Sequence, residues 1–187
     1  MTTMQSIEKQ IEEFFEELAE KGVPEDMTES PLLLTLIAGI KLRSPEQKLP
    51  ILRGELLHES INLLIDNWSV PRLGESKSVY DKFGFKAVEF YNLLRNLAYE
   101  ALETNSQVRN RIAKNHLLEK LFELNPSGNQ LEAIEYISTH AGLVHKVDED
   151  WYRFAHRSLQ DCLAAAQIVI DEKINFSELA KLVIKDP

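Results

Sequence analysis

Residues 141–166 read AGLVHKVDEDWYRFAHRSLQDCLAAA, and the order of polar and apolar residues within them decides the fold. Behind Gly142, Leu143 to Val147 alternate in character, Asp148 to Asp150 form a polar acidic break, and Trp151 to His156 alternate again. Side chains on a strand point to opposite faces in turn, so two alternating runs around a turn-forming tripeptide predict a β-hairpin. Ser158 and Asp161 then make an S-x-x-D capping signature ahead of an alanine-rich apolar run. That combination predicts a helix from Ser158 to Ile170. Alternation also sets Tyr152, Phe154 and His156 on one strand face, so one reading of His156 is a histidine satisfied within that face.

Outward from the hairpin the chain reads as helices. Leu131, Ile134, Tyr136 and Ile137 mark a helix behind the turn Asn125 to Asn129, NPSGN. Val108, Ile112, Leu117, Leu118, Leu121 and Phe122 predict another, interrupted near Asn115. Phe85, Val88, Leu93, Leu94, Leu97 and Ala101 predict a longer one before it. Ser69 to Ser78, with Pro71, Gly74 and several serines, reads as a linker. Further back, Leu56, Leu57, Ile61, Leu64, Ile65 and Trp68 share a helical face. Ser44 to Gln47 is a turn. Ser30-Pro31 is a start signal, cap then first-position proline, for a helix that is apolar nearly all round to Ile40. Ile7, Ile11, Phe14, Phe15 and Leu18 make an amphipathic first helix whose acids, Glu12, Glu13, Glu16, Glu17 and Glu20, read as a solvated face. Asn175 to Ser177 leads into a last short helix.

The fold class is therefore mainly α, a helical domain followed by a winged-helix domain with one small β-hairpin. The expected boundaries are 1–70 for the helical domain, 71–84 for the linker, 85–172 for the winged helix and 173–187 for a C-terminal helix or tail.

A chain of 187 residues, 44% hydrophobic and 27% charged, has an ordinary globular composition and length enough for a core. Its longest apolar run, Pro31 to Ile40, is too short to span a membrane, and MTTMQSIEKQIEEFF lacks a signal-peptide layout. The single cysteine, Cys162, has no intramolecular partner, which suits a reducing, cytoplasmic setting. A net charge of −9 opposes phosphate contact unless basic residues cluster. Only Arg109, Arg111, Lys114 and Lys120 form a loose group.

Three segments together carry a family resemblance. Phe154, His156, Arg157, Ser158, Gln160, Asp161, Ala164 and Ala165 resemble F-x-H-[RKT]-[ST]-F-Q-E-[YF]-x-A-A, the end of the winged-helix domain in NACHT-type signal-transduction NTPases. Ser30 to Ile37, SPLLLTLI, is similar to their NPLLLxLI segment. Leu49-Pro50 with Arg53, Glu55, Leu56, Leu57 and Trp68 resembles LPxxRxELY…LLxxW. The departures are Ser30 for asparagine, Leu57 for tyrosine, Leu159 and Cys162 for aromatics, and Asp161 for glutamate. Neither a G-x-x-x-x-G-K-[ST] loop nor an apolar strand ending in paired acids is present, so this chain supplies no nucleotide-hydrolysing machinery and is not itself an enzyme.

The resemblance implies two contacts with a nucleotide. The proline of the NPLLL-like segment, Pro31, packs on adenine, and the winged-helix histidine, His156, reaches the β-phosphate of ADP. Proline at a helix start is rigid and has no N–H to leave unpaired against a ring. An imidazole N–H can donate to a phosphate oxygen. The resemblance therefore implies a regulatory module of a STAND-class NTPase, in defence-like signal transduction. It senses ADP or ATP held by a NACHT ATPase core in cis or in trans, and gates homo-oligomerisation of the parent. The isolated chain is expected to hold no cofactor.

Rival readings have less to stand on. His140, His145, His156 and Cys162 match no standard zinc spacing. Cys162, within an apolar helix, reads as packing. A winged helix that reads DNA needs basic or amide side chains on the helix before its hairpin. Here Asn129 to His140 offers Glu132 and Glu135 with no lysine or arginine, and the hairpin turn is triply acidic. A free-standing winged-helix protein that binds another protein is the alternative, and no nucleophile–base pair suggests a hydrolase.

Overall fold

Periodic apolar residues in the first part of the chain fold as helices in the computed structural model, which describes residues 2–46, 48–50, 52–66, 78–103, 110–139 and 141–170. The chain divides into two units, Met1–Leu63 and Leu64–Pro187. Trp68, residues 71–77 of the expected linker, Val108, His140 and the expected last helix lie outside the described residues.

The first unit holds α1 (Thr2–Lys21), α2 (Glu25–Thr28), α3 (Pro31–Arg43) and most of α4 (Arg53–Asp66). Helix α3 starts where its sequence dictates: the Ser30 hydroxyl accepts from the Leu33 N–H at 3.4 Å, and Pro31 takes the first helical position. Leu18, Met27, Leu33, Leu36, Ile37, Leu49, Leu56 and Ile61 supply the buried side chains. Helix α3 is less enclosed than its composition suggests, since Leu32, Leu34 and Ile40 are only half-buried. On α1, Ile11 and Phe15 stay exposed while Leu18 is buried.

One glutamate of the acidic face leaves solvent. Glu17 is half-buried, accepts from the Leu49 N–H at 3.0 Å and pairs with Lys41 at 2.8 Å. Burial pushes its carboxyl upward, but the Lys41 ammonium and the Leu49 amide outweigh that and hold it below its ordinary value. It thereby ties α1 to the end of α3 and to the following loop.

After the end of α4, the first described helix of the second unit is α5 (Val79–Phe83), inside the stretch read as linker. The Ser78 hydroxyl caps it by accepting from the Asp81 N–H at 3.1 Å, and Gly84 ends it in a left-handed conformation, φ 66°. Then come α6 (Ala87–Glu103), β1 (Ile112–Ala113), α7 (Lys114–Leu124), α8 (Gln130–Thr139), β2 (Val144–Lys146), β3 (Trp151–Phe154) and α9 (Arg157–Ile170). The sheet order is β1-β3-β2, antiparallel throughout, with Ile112 opposite Tyr152 and Val144 opposite Phe154. Three helices, a short strand between the first two, and a closing hairpin make a mainly α winged-helix fold.

Three expectations need correction. The helix expected from Val108 begins only at Lys114, because Ile112 and Ala113 pair with β3 instead. On α6, Val88 points outward and Phe90 is the fully buried residue. Phe90 stacks on Phe85 with centroids 5.5 Å apart, and Phe83 joins the cluster through Phe85 and Tyr136. Leu131, read as core, is exposed on α8. Helix α9 lies along α6 and closes the unit. No helix among the described residues is long and apolar enough to cross a membrane.

Candidate functional site at the foot of the wing

The wing is built by local chemistry. The Asp148 carboxylate accepts from the Asp150 N–H at 3.0 Å, an Asx-type turn. The Val147 N–H donates to the Trp151 carbonyl at 2.8 Å, and the Ala155 N–H reaches the Leu143 carbonyl at 3.0 Å, the last rung of the ladder. Tyr152 and Phe154 point into the core. Extended pairing stops there, so His156 is not a strand residue.

His156 is instead the cap of α9. Its carbonyl accepts from the N–H groups of Leu159 and Gln160, at 3.2 and 3.3 Å, and its ring Nδ1 accepts from the Ser158 N–H at 3.1 Å. Imidazole Nδ1 lies at the same remove from the backbone as the oxygen of an asparagine cap, and satisfies an orphan helix donor in the same way. This corrects the capping expectation. Ser158 and Asp161 lie inside the helix, where Asp161 pairs with Arg157 at 3.6 Å.

The cap fixes the tautomer. A ring nitrogen that accepts a hydrogen bond cannot carry the proton in the same state, so the hydrogen is on Nε2. The side chain is half-exposed and Nε2 has no protein partner among the described residues. His156 is thus an oriented N–H donor at the positive end of a helix, beside Arg157.

Gln160 completes the arrangement. It is 2% exposed, and its amide donates to the Asn110 Oδ1 at 3.1 Å. Asn110, at φ 62°, delivers the chain into β1, and its N–H is held by the Ala101 carbonyl at 3.0 Å. The first turn of α9 is therefore pinned to the entrance of the sheet. The glutamine stood in the sequence motif, but nothing there named its partner fifty residues away. Cys162 is half-buried and burial pushes its thiol up, which suits packing rather than nucleophilic attack.

Pro31 is the exposed first residue of α3 in the first unit. Among the described residues no three histidine, cysteine or acidic side chains gather as a metal site. On α8, Glu132 pairs with Lys82 at 3.1 Å and Glu135 is exposed, as are Asp148, Glu149 and Asp150 at the wing tip.

Against this geometry, the family model described as the winged helix-turn-helix domain C-terminal to NACHT matches residues 53–168. The chain belongs to that family. Comparison with curated proteins and with solved structures gives no match. The matched span runs from the start of α4 into α9 and so contains the whole winged helix, His156 and Gln160. The SPLLLTLI segment with Pro31 precedes it. As a NACHT-associated winged helix the chain is linked by family to an NTPase core.

Proposed function

We propose that this NACHT-associated winged helix reports the nucleotide state of its NTPase core, with His156 donating through Nε2–H to a phosphate oxygen of bound ADP. The observation that carries the reading is the cap: Ser158 occupies Nδ1, so the remaining ring N–H is a donor aimed away from its own helix. A phosphate oxygen fits such a donor, and fits the positive helix end and Arg157 beside it. The nucleotide supplies the anionic oxygen and the adenine ring. The chain supplies the imidazole donor from its winged helix and, on the NPLLL-like resemblance, the rigid apolar face of Pro31 from its helical unit.

A nucleotide held by the NTPase core would, through the His156 donor, hold the winged helix against that core in a closed, inactive arrangement. Exchange of ADP for ATP weakens the ligand's preference for that arrangement and releases the parent for oligomerisation. A charge-assisted hydrogen bond contributes about 1.5–3 kcal/mol, so its loss should speed ADP release by roughly tenfold or more.

The experiment is ADP release from the parent NTPase carrying this chain, followed with a fluorescent ADP analogue. His156→Ala removes both cap and donor; His156→Asp keeps a cap acceptor but meets phosphate with negative charge. Faster release and higher basal oligomerisation in both, with Asp at least as fast as Ala, is the expected outcome. Release from the Asp variant at the unsubstituted rate rules the contact out.

A further inference from the structure

Helices α7 and α8 are the pair that forms the reading face when a winged helix binds DNA. On this chain, Leu118, Phe122 and Leu131 line a shallow groove there, walled by Glu119 and the turn residues Ser127 to Gln130. Phe122 is 53% exposed and Leu131 60%. They are not surplus core, because Leu117 and Leu121 of α7 and Ala133, Ile134, Tyr136 and Ile137 of α8 already take the buried positions.

Each helix carries an acid on the same face as its exposed apolar residue. Glu119 stands three residues before Phe122, and Glu135 four after Leu131, the spacings that bring helical side chains together. Other acids nearby are neutralised: Glu123 by Lys120 at 3.2 Å, and Glu132 by Lys82 at 3.1 Å. Glu135 has no ion pair among the described residues, and the one basic side chain within 4.0 Å of Glu119 among them is the imidazole of His116, through Nδ1. No lysine or arginine is among the described residues that line the groove.

The groove is also held in shape. Asn125 accepts from the Ser127 N–H at 3.2 Å and donates to the Phe83 carbonyl at 2.9 Å, while Gln130 donates to the Asn125 carbonyl at 2.8 Å. A surface fixed before its ligand arrives loses less entropy on binding.

The geometry points to a docking groove for a basic amphipathic segment of another polypeptide. Its apolar side chains seat against Phe122 and Leu131, and its lysines or arginines meet Glu119 and Glu135, the helix-in-groove mode of recognition. The acidic rim repels DNA phosphates and anionic lipid headgroups alike. In a two-fold contact with a second copy it would set like charges face to face. This inference uses nothing about His156, so it and the nucleotide reading fail separately.

The test titrates the full chain into a fluorescent synthetic peptide of leucines and lysines at helical spacing, and into its counterpart with glutamates for the lysines, reading anisotropy. Only the lysine peptide should bind, and Phe122→Ser and Leu131→Ser should each weaken it about tenfold or more, as for truncated interface anchors. Glu119→Lys with Glu135→Lys should exchange the preference to the glutamate peptide. Asp148→Asn with Glu149→Gln, at the wing tip, should leave binding unchanged, which separates the groove from the general charge of the chain. All these positions are exposed, and circular dichroism verifies that each variant is folded. Failure of the lysine peptide to bind, indifference to the Phe122 and Leu131 changes, an equal loss in the wing-tip variant, or displacement of the peptide by duplex DNA overturns the assignment.

Discussion

His156→Ala should destabilise the second unit even with no nucleotide or partner present, because it leaves the Ser158 N–H without its acceptor at 3.1 Å. Loss of a side-chain helix cap costs about 1 kcal/mol, within a range of roughly 0.5–2. For a chain of this size that corresponds to a fall of about 2–4 °C in Tm. His156→Asp restores an acceptor and adds a negative charge at the positive end of α9, worth about 0.3–1 kcal/mol more. The stability order is therefore Asp at or above the natural residue, and Ala below both. Urea unfolding followed by circular dichroism, with native-state hydrogen exchange at Ser158, reads it directly. Imidazole nitrogen shifts provide a second reading, with the protonated, pyrrole-type nitrogen at Nε2. Equal stability of the Ala and Asp variants, or a proton on Nδ1, refutes the cap and with it the argument for an outward donor. ADP release should not follow the stability order, since Asp keeps the cap and still loses the donor.

Two further perturbations address the frame around the site. Gln160→Leu and Asn110→Ala, singly and together, should each cost about 1–3 kcal/mol, with a coupling of about 1 kcal/mol in the double-mutant cycle from unfolding curves; simple additivity would deny the tie between α9 and β1. Glu17→Gln in the first unit should cost about 1 kcal/mol at neutral pH by removing the charge paired with Lys41. The carboxyl of Glu17 is held below its ordinary 4.5 in the folded chain, so its contribution is present above that value and is lost as pH falls through the lowered one. The stability gap between Glu17→Gln and the unsubstituted chain should accordingly close in acid below 4.5, and a gap that persists there assigns the effect to packing.

What could be read in the sequence was whatever local chemistry decides alone. The β2–β3 hairpin is specified by alternation and by an aspartate able to close its own turn. The start of α3 is specified by a hydroxyl cap and a proline that needs no donor. Elements whose reason lies far along the chain were not legible. Strand β1 has two residues, too few to alternate, and exists because Tyr152 and Trp151 offer it an edge. Helix α5, only five residues long, is too short to show a helical period, though Ser78 and Gly84 mark its two ends. Phe90 and Val88 are both apolar and two residues apart, and only packing against Phe85 decides which turns inward. The S-x-x-D signature misled for a definite reason: strand pairing ends at Ala155, and the first acceptor available after it is the ring of His156, two residues ahead of the serine.

That last displacement ties the fold to the proposed use. A serine cap on α9 would satisfy the helix and leave nothing to project. Asparagine could cap with its oxygen and still offer an amide N–H, but both groups branch from one carbon close to the backbone. Imidazole separates the tasks across a ring, with one nitrogen bound inward by Ser158 and the other presented outward as a donor. Gln160 and Asn110 then hold the turn that carries the ring against the sheet. His156→Asn is consequently the most discriminating substitution: the cap and the stability of the unit should survive, because an amide oxygen is a good helix cap. A donor that no longer reaches past the helix end should still release ADP from the parent roughly tenfold faster. If the asparagine variant holds ADP as well as histidine does, a cap alone is sufficient there, and the outward nitrogen has no part in the switch.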